Sequence, residues 1–463
     1  MDAAQKTENR SKAGGTGYLF TDGIVVTSAP DGPVWAPGDV AVRNGRIIYA
    51  GAALTPARRE KYFREGLQHW PLGGRVIMPG LINTHTHAAM SLLRGYAEDR
   101  PLLEWLERLV FPFESRLSGE AVYWGTLVSC MEMIRGGITT LNDMYFFMED
   151  AAKAVADSGM RAVLGWGLSG IDAQSAERAL AQAEEFYQKW NGAAGGRIRV
   201  CMAPHATYTC PPAFLAQVVE RAAALGAGLH IHVAESPEEC RRHQEQFGET
   251  EVATLERLGA WELPAVAAHC VQVTSGDIRI LARHGVAVSH NPTSNLKLGN
   301  GIAPVQEMLD AGITVALGTD GPASNNNQDL FQEMRLAAIA QKGRTHDPTV
   351  LPAPQVVAMA TQWGAKALRW PEIGALKVGN WADLVILRKP MSHRWPAWDV
   401  WSDLVYACHG GDVQDVLVAG QVILKNGQFT ALDEGWVLAA AQMVLEAVKP
   451  PQRNVAWPLP KRE

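Results

Sequence analysis

The chain has no apolar run long enough to cross a membrane and no cluster of basic residues. No segment of the 463-residue sequence approaches the ~18 uninterrupted apolar residues that a membrane-spanning helix needs. The net charge of −6 is spread along the chain, so nothing provides the basic patch that binds nucleic acid or anionic lipid. We therefore expect neither a nucleic-acid partner nor a membrane partner.

Cysteine is scarce, and its spacing argues against two common structural devices. The six cysteines are scattered without a Cys-x-x-Cys pair, a pattern that suits reduced thiols better than a disulfide framework or a structural zinc knot. Residues 1–17 also lack an apolar stretch after their basic residues, so they do not resemble a secretory signal. These observations predict a disordered leader over residues 1–17 and a cytoplasmic protein.

The sequence does contain β-rich segments near both ends. Near the N-terminus, Asp39–Val42 and Arg46–Ala50 flank an Asn44-Gly45 turn, a pattern typical of a β-hairpin. Strand patterns return at Ala382–Leu387 and at Val416–Ile423. We expect these two distant β-rich segments to pair with each other in one small domain.

Between the terminal segments, short apolar runs alternate with longer helical patterns. Arg199–Ala203 is typical of a buried strand, for example, and Pro212–Leu225 is typical of the helix that follows it. Repeated strand–helix units predict a parallel sheet, and so many units predict a barrel. The predicted architecture is an α/β fold with a (β/α)8 TIM-type barrel over residues 78–377. A small β-sandwich domain from residues 18–77 and 378–463 lies beside it.

His85-Thr86-His87 is the sharpest local signal, because it directly follows the strand-like run 76–82. Residues two apart in a strand point to the same face, so both imidazoles are able to bind one ion. Two nearby histidines are more often surface or hydrogen-bonded core residues. The position after a strand favours the functional interpretation, since barrel active sites lie at the C-terminal ends of the strands.

Four further polar residues lie at or just after later strand patterns: His232, Glu235, His269 and Asp320. An aspartate at the end of a buried apolar strand is costly unless it is paired or coordinated. Each feature has an ordinary explanation when taken alone, and Glu235 alone would be a solvated loop carboxylate. No single ordinary explanation accounts for polar residues at so many successive strand ends, all in one orientation.

His85, His87, His232 and Asp320 form the predicted metal site. Three imidazoles and one carboxylate suit Zn²⁺ or Fe²⁺ better than Mg²⁺ or Ca²⁺, which prefer shells of oxygen ligands. We predict one divalent cation, zinc in the first place and iron as the alternative. A site of this kind with an open position lowers the pKa of a bound water toward ~7.

Taken together, these residues resemble the metal-binding and water-orienting set of the amidohydrolase superfamily. The resemblance covers nearly the whole chain, from Met78–His87 to the return into the β-domain at Gly379–Val385. Within the superfamily the chain looks most like the 5-methylthioadenosine/S-adenosylhomocysteine deaminases and their chlorohydrolase-type relatives. The stretches that carry this closer resemblance are Leu92–Asp99, Met131–Met133, His290–Gly301 and Gly318–Gly321.

The resemblance implies roles for individual side chains. Glu114 matches a carboxylate that binds the ribose hydroxyls of the substrate, and His205 matches a histidine that contacts the substrate. Glu235 is then the proton shuttle, while His269 and Asp320 orient and activate the attacking water. Without the family, Glu114 would be interpreted as an exposed helix residue and His205 as a capped strand end.

One position departs from the family pattern. Such deaminases often carry an arginine where this chain has Trp166, and no second matching arginine follows in residues 169–175. Those arginines hold a substrate carboxylate in the family. An arginine can bind a carboxylate through two hydrogen bonds, whereas a tryptophan offers only an apolar surface. The replacement therefore favours a substrate with an apolar 5′ substituent such as methylthio. We therefore rank 5′-methylthioadenosine above S-adenosylhomocysteine and count Trp166 among the candidate substrate-binding residues.

The implied reaction is hydrolytic deamination of a 5′-modified adenosine, a small purine nucleoside, to the inosine-type product and ammonia. Three alternatives stay open: an aminohydrolase for a triazine, guanine or a pterin; a dechlorinating or amide-cleaving hydrolase; and a non-catalytic relative that has lost its metal. The other zinc-deaminase design, with His-x-Glu and Pro-Cys-x-x-Cys motifs, is absent. The sequence is compatible with a homo-oligomer.

Overall fold

The structure is a computed structural model that describes residues 17–96, 98–170 and 173–450. Most of the predicted leader, residues 1–16, lies outside these ranges, and Gly17 begins the first strand. Ala97, Ile171 and Asp172 also lie outside them. Ala97 belongs to the stretch Leu92–Asp99, and the other two belong to residues 169–175, which contain no arginine. Among the described helices, none combines the length and the apolar character needed to cross a membrane.

The described residues form seventeen strands in two sheets. The N-terminal strands are β1 (Gly17–Val26), β2 (Val34–Arg43), β3 (Arg46–Ala52), β4 (Leu67–Pro71) and β5 (Val76–Pro79). The barrel strands are β6 (Leu81–Thr86), β7 (Ile138–Tyr145), β8 (Arg161–Leu168), β9 (Ile198–Pro204), β10 (Leu229–Val233), β11 (Ala265–His269), β12 (Ala287–His290) and β13 (Val315–Leu317). The C-terminal strands are β14 (Leu384–Leu387), β15 (Val413–Val418), β16 (Gln421–Lys425) and β17 (Gln428–Phe429).

Strands β6 to β13 form a parallel sheet in sequence order, with helices between most of them. The predicted (β/α)8 barrel is therefore confirmed. Its seam lies between β13 and β6, where Asp320 N donates to His85 O at 3.0 Å and Thr84 Oγ1 donates to Leu317 O at 2.9 Å. The two ends of the sheet thus meet beside the predicted ligands His85 and Asp320.

The terminal strands form one mixed sheet in the order β17-β16-β15-β14-β5-β1-β2-β3, with β4 added to β1. The two ends of the chain meet where β14 pairs antiparallel with β5. Apolar side chains from both halves, among them Phe20, Val40, Ile77 and Leu417, form a separate buried cluster. The small β-domain built from both termini is confirmed. Its Asn44-Gly45 turn has positive φ at both residues, 52° and 76°, as a two-residue hairpin turn of the preferred type requires.

The strand-like run 76–82 divides at Gly80 into β5 of the small domain and β6 of the barrel. A Cβ atom on Gly80 would lie 2.1 Å from Thr139 Oγ1, so a larger residue does not fit between the two sheets. The chain therefore passes directly from one domain into the strand that carries His85.

The helices mostly surround the barrel. They are Pro56–Arg64, Leu102–Trp105, Phe111–Glu114, Gly119–Arg135, Met148–Ser158, Ala173–Trp190, Ala193–Gly196, Pro212–Leu225, Pro237–Phe247, Glu251–Arg257, Ser275–His284, Pro292–Lys297, Val305–Asp310, Pro322–Asn325, Leu330–Thr345, Ala353–Met359, Gln362–Ala367, Val400–Ser402 and Glu434–Val448. Short 3-10 turns (Ala88–Leu93, Ala260–Glu262, Gly410–Asp412) and π turns (Leu106–Val110, Asp403–Ala407) complete them. Local sequence explains the ends of Ser275–His284: Thr274 and Asp277 form a capping box, and Gly285 has φ 65°.

A buried ion pair joins the barrel to the β-domain. Arg161, at the start of β8, donates to both carboxylate oxygens of Asp383 at 2.8 and 3.2 Å, and both residues are nearly inaccessible to water. Asp383 also accepts from Ala419 N at 2.7 Å, and the guanidinium lies 4.7 Å from the ring centre of Trp370. Both carboxylate oxygens of Asp383 thus accept charge-assisted hydrogen bonds from Arg161 inside the interface.

Removing one partner of this pair should destabilise the protein. We expect Asp383→Ala to lower the free energy of unfolding by about 3–5 kcal/mol, because it leaves the Arg161 charge buried and uncompensated. Denaturant unfolding followed by tryptophan fluorescence measures the change. Glu434→Ala, which removes the exposed partner of Arg135, is the control and should change stability little. Equal effects of the two substitutions would contradict the argument.

Candidate metal and catalytic site

The four predicted metal ligands converge at one end of the barrel. His85 is near the end of β6 and His87 just after it, His232 is in β10, and Asp320 follows β13. Asp320 Oδ1 lies 3.3 Å from Nε2 of His85 and 3.3 Å from Nε2 of His87. The Nε2 atoms of His87 and His232 are 3.2 Å apart. The structure thus places four candidate ligand atoms around a common point.

Hydrogen bonds to the outer ring nitrogens determine which nitrogens face this point. His87 Nδ1 lies 2.7 Å from Met144 O, and His232 Nδ1 lies 2.7 Å from His205 O. A carbonyl only accepts, so both Nδ1 atoms carry the proton and both Nε2 atoms present lone pairs. Two lone pairs that face each other at 3.2 Å repel unless a cation lies between them. The donor set therefore fits a divalent metal ion.

Burial keeps the imidazoles in the form that binds metal. It lowers the pKa of His85 to about 3, against an opposite effect of Asp320. It also lowers the pKa of His87, and that of His232 well below its usual range. Burial acts to raise the pKa of Asp320, but the neighbouring histidines hold it well below its ordinary value. Neutral imidazoles beside an ionised carboxylate are the protonation states that a metal site requires.

Asp320 is held by three neutral donors. Ser294 Oγ and Ser324 Oγ donate to its Oδ2 at 2.6 and 2.7 Å, and Gly321 N donates to Oδ1 at 2.7 Å. The residue also has φ 59°, a left-handed conformation that is unfavourable for aspartate outside a supporting structure. These contacts fix the direction in which the carboxylate faces the histidines.

His269 and Glu235 lie beside the four ligands. His269 Nδ1 is 2.8 Å from Asn295 Oδ1, so the amide oxygen accepts and the buried His269 Nε2 is left facing the site without a hydrogen-bond partner. Glu235 Oε2 is 3.8 Å from that Nε2, and Glu235 Oε1 accepts from Asn300 Nδ2 at 3.0 Å. Burial raises the pKa of Glu235 to about 7, which suits a group that gives and takes a proton near neutral pH.

A cavity of about 320 Å³ opens onto this cluster, and its wall contains Glu114, His205, Glu235, His269 and Asp320. Its volume is at the lower end of the range for small-molecule sites. Most other wall residues are apolar, and they include Met90, Leu102, Trp105, Leu106, Val110, Phe111, Met144, Phe146, Leu168 and Leu298. No described wall residue is a lysine or an arginine.

Glu114 and His205 both face the cavity, as the resemblance implies. Burial raises the pKa of Glu114 to about 7, with a smaller opposite effect of the Tyr145 hydroxyl. Burial, with a smaller effect of Glu114, raises the pKa of the Tyr145 hydroxyl well above its ordinary value. His205 Nδ1 bonds Thr209 Oγ1 at 2.9 Å, while its ring lies edge-on to His232. A few polar groups therefore lie in the wall of an otherwise largely apolar cavity.

Trp166 does not line the cavity. Its ring packs against Phe186 of the helix Ala173–Trp190, with ring centres 5.8 Å apart. Neighbouring side chains of a strand point to opposite faces, so in β8 the backbone at Gly167 reaches the cavity while Trp166 faces the surrounding helices. The expected aromatic wall at the 5′ end is thus not built by Trp166. The apolar residues of the segment Leu102–Phe111 line the cavity instead.

Further buried residues support the candidate ligands, and the sequence does not single out those of the stretch His290–Gly301. His230 Nε2 lies 2.8 Å from His85 Nδ1 and orients that ligand. Ser294, Asn295 and Asn300 all come from the quoted stretch His290–Gly301, and they hold Asp320, His269 and Glu235 in turn. The sequence feature that points to these supporting residues is the large number of small polar residues directly after a buried strand.

Comparison with known proteins agrees with this geometry. Residues 76–423 match the amidohydrolase family. The chain belongs to the amidohydrolase family. A 5-methylthioadenosine/S-adenosylhomocysteine deaminase of Pelotomaculum thermopropionicum is 45% identical over 90% of this chain and 95% of its own length. A 5′-deoxyadenosine deaminase of Methanosarcina mazei is 45% identical over 92% of this chain and 97% of its own.

The fold of this amidohydrolase also occurs in a solved structure. An adenosine deaminase from Xanthomonas campestris with bound zinc shares 34% identity at a TM-score of 0.87, covering 93% of this chain and 98% of that one. With the family match, these relatives show a hydrolase that acts on carbon–nitrogen bonds. The family and the convergent His/Asp groups also support a divalent metal.

Loosening the support of Asp320 should weaken metal binding. We expect Ser324→Ala to raise the dissociation constant of the metal by about 10–100-fold, as the loss of a residue that orients a ligand typically does. Competition with a chromogenic chelator measures the constant. Ser158→Ala removes a buried serine whose hydroxyl donates to Val155 O, remote from the site, and should leave the constant unchanged. An unchanged constant in Ser324→Ala would contradict the role of this contact.

Proposed function

We propose that the protein is a zinc-dependent deaminase of 5′-modified adenosines, with 5′-methylthioadenosine and 5′-deoxyadenosine as preferred substrates. The observation that carries this proposal is one cavity whose wall contains Glu235, residues of the His/Asp cluster and Glu114. The names of the relatives from Pelotomaculum and Methanosarcina support the substrate class. The zinc of the Xanthomonas structure supports the choice of metal.

His85, His87, His232 and Asp320 are the residues that would hold the zinc ion. When bound, the ion supplies Lewis acidity that makes water nucleophilic at neutral pH. We assign to Asp320 and His269 the orientation of the attacking water, since both present unshared electron pairs to the same point. His269 Nε2 has no other partner among the described residues.

Glu235 is the proposed proton shuttle. Water adds to C6 of the purine, and its first proton passes through Glu235 to the ring nitrogen N1. Its second proton then passes through Glu235 from the new C6 hydroxyl to the amino group. The amino group leaves as ammonia, and the carbonyl of the inosine-type product remains. A carboxyl group with pKa about 7 is able to act as both acid and base in this sequence.

Glu114 and His205 are the proposed substrate-binding residues. An ionised Glu114 accepts hydrogen bonds from the two ribose hydroxyls, and the neighbouring Tyr145 hydroxyl lies close enough to assist. The apolar residues of the cavity then surround the 5′ substituent. Because no described wall residue is a cation, nothing there compensates the carboxylate of S-adenosylhomocysteine, which is costly to desolvate alone.

A substrate panel tests the proposal. We expect ammonia release from 5′-methylthioadenosine and 5′-deoxyadenosine with kcat/KM at least ~10-fold above S-adenosylhomocysteine, an advantage of about 1.4 kcal/mol. Guanine and an aminotriazine should react far more slowly, because neither presents ribose hydroxyls to Glu114. Turnover of a free base above that of every nucleoside would favour the alternative of a general aminohydrolase. Dechlorination without deamination would favour the chlorohydrolase alternative.

Glu114 should give nucleoside binding a specific pH dependence. Its pKa in the folded protein is about 7, above the usual carboxyl value, so the hydroxyl-binding carboxylate forms as pH rises through that value. We expect the KM for 5′-methylthioadenosine to fall about 10-fold between about pH 6 and about pH 8. In Glu114→Gln the KM should be high and independent of pH over this range. The same fall in Glu114→Gln would show that another group is responsible.

We also propose a cytoplasmic location. All six cysteines are free thiols in the structure, and five of them are buried. A chain with several unpaired cysteines suits a reducing compartment.

A further inference from the structure

Glu235 lies in a tight turn, Ala234–Ser236, between β10 and the helix Pro237–Phe247. Ala234 has φ 49°, a left-handed conformation that alanine rarely adopts and that persists only where the surroundings impose it. The direction of the Glu235 side chain depends on this conformation. Contacts that hold the turn therefore determine where the Glu235 carboxyl group lies.

Two other glutamates hold the turn, one on each side of Glu235. Glu251 Oε2 accepts a hydrogen bond from Ala234 N at 3.1 Å, and Glu239 Oε2 accepts one from Ser236 N at 3.2 Å. Both residues that flank Glu235 in the sequence are thus fixed through their backbone amides. On the opposite side, Ala234 O accepts from Gln272 N at 2.9 Å.

These two glutamates are buried without a counter-ion. Each is 2% exposed, and in the described part of the chain no lysine, arginine or histidine lies within 4.0 Å of either carboxyl group. Glu239 Oε1 has no hydrogen-bond partner among the described atoms. Burial raises the pKa of both, and the nearby carboxylates of Glu251 and Glu235 raise that of Glu239 further. Burying an acid without a counter-ion is costly to a fold, while the hydrogen bond from Ser236 N to Glu239 also completes the capping box of the helix Pro237–Phe247.

The Glu235 carboxyl group has few contacts of its own. Asn300 Nδ2 donates to it at 3.0 Å, and His269 Nε2 is 3.8 Å away. These contacts orient the end of the side chain, while the backbone position comes from the turn. A shift of about 1 Å at a reacting group is enough to slow catalysis about 100-fold. The hydrogen bonds from the amides of Ala234 and Ser236 therefore determine the position of the Glu235 backbone.

We propose that Glu251 and Glu239 are positioning residues that hold the Ala234–Ser236 turn so that the Glu235 carboxyl group reaches the substrate. The proposal rests on the assigned role of Glu235 in the proposed deamination. Neither glutamate lines the cavity, so both act through the backbone of the turn and not on the substrate.

Substitution of Glu251 tests the proposal. In Glu251→Ala the acceptor for Ala234 N is lost, and we expect kcat to fall about 100-fold with KM within about threefold of wild type. Glu251→Gln keeps an oxygen acceptor at the same place and should restore kcat to within about fivefold of wild type. The corresponding pair at Glu239, Glu239→Ala and Glu239→Gln, should behave in the same way with Ser236 N.

A matched control separates positioning from a general loss of stability. Asp415→Ala removes another buried carboxylate that accepts from a backbone amide, Asn426 N at 2.8 Å, but it lies in the β-domain. It should lower the melting temperature without changing kcat per folded, metal-loaded chain. Unchanged kcat in folded Glu251→Ala, or equally low kcat in Glu251→Ala and Glu251→Gln, would overturn the proposal.

Amide hydrogen exchange gives a readout that does not depend on activity. The amide of Ala234 should exchange at least about 10-fold faster in Glu251→Ala than in wild type, and Asp415→Ala should not change it. Equal exchange in all three proteins would refute the hydrogen bond. Where Glu251→Ala does not fold, Glu251→Asp withdraws the acceptor by one methylene and serves in its place. If wild type deaminates none of the nucleosides, the proposed function fails, while exchange at Ala234 still decides whether Glu251 holds the turn.

Discussion

The structure depends on one electrostatic constraint: neutral imidazoles are held with their lone pairs facing one another inside a buried site. His87 and His232 donate their Nδ1 protons to backbone carbonyls, so their Nε2 atoms meet at 3.2 Å with nothing to donate. Such an arrangement is unfavourable without a cation and favourable with one. The barrel maintains it because the accepting carbonyls, Met144 O and His205 O, lie in or directly after neighbouring strands whose positions the sheet determines.

A second property concerns the carboxyl groups at this end of the barrel: among the described residues, Asp320, Glu235 and Glu251 pair with no lysine or arginine. Asp320, Glu235 and Glu251 receive hydrogen bonds from serine hydroxyls, an asparagine amide and backbone amides. Neutral donors orient a carboxylate without neutralising it, so its charge or its proton stays available for the cation and the substrate. The ion pair of Arg161 with Asp383 shows the opposite arrangement, since it lies at the domain interface, where only stability is required.

The sequence predicted the elements whose pattern is local. Pro212–Leu225 is expected from its helical pattern and has these bounds, because the proline at its start and Gly226 after its end, with φ 66°, act within a few residues. Strands β7 and β8 were not anticipated. β7 contains Asn142 and Asp143, and β8 contains Gly165 and Gly167, which interrupt the apolar pattern of a buried strand. The closed barrel tolerates these residues because neighbouring strands provide hydrogen-bond partners for the polar side chains. Asn142 Nδ2, for example, donates to Thr84 O at 2.9 Å.

By itself the sequence predicted the barrel and the small domain from both termini, and it named the residues that we propose to hold the cation. Each of these predictions uses only the residue types and the spacing at which apolar residues recur, and both can be read directly from the sequence. Tertiary structure alone decided that Trp166 faces the helices and that Glu239 and Glu251 hold the turn that carries Glu235. The physical reason is that side-chain direction and long-range hydrogen bonds depend on strand register and helix packing, which bring together residues that the order of the chain leaves apart.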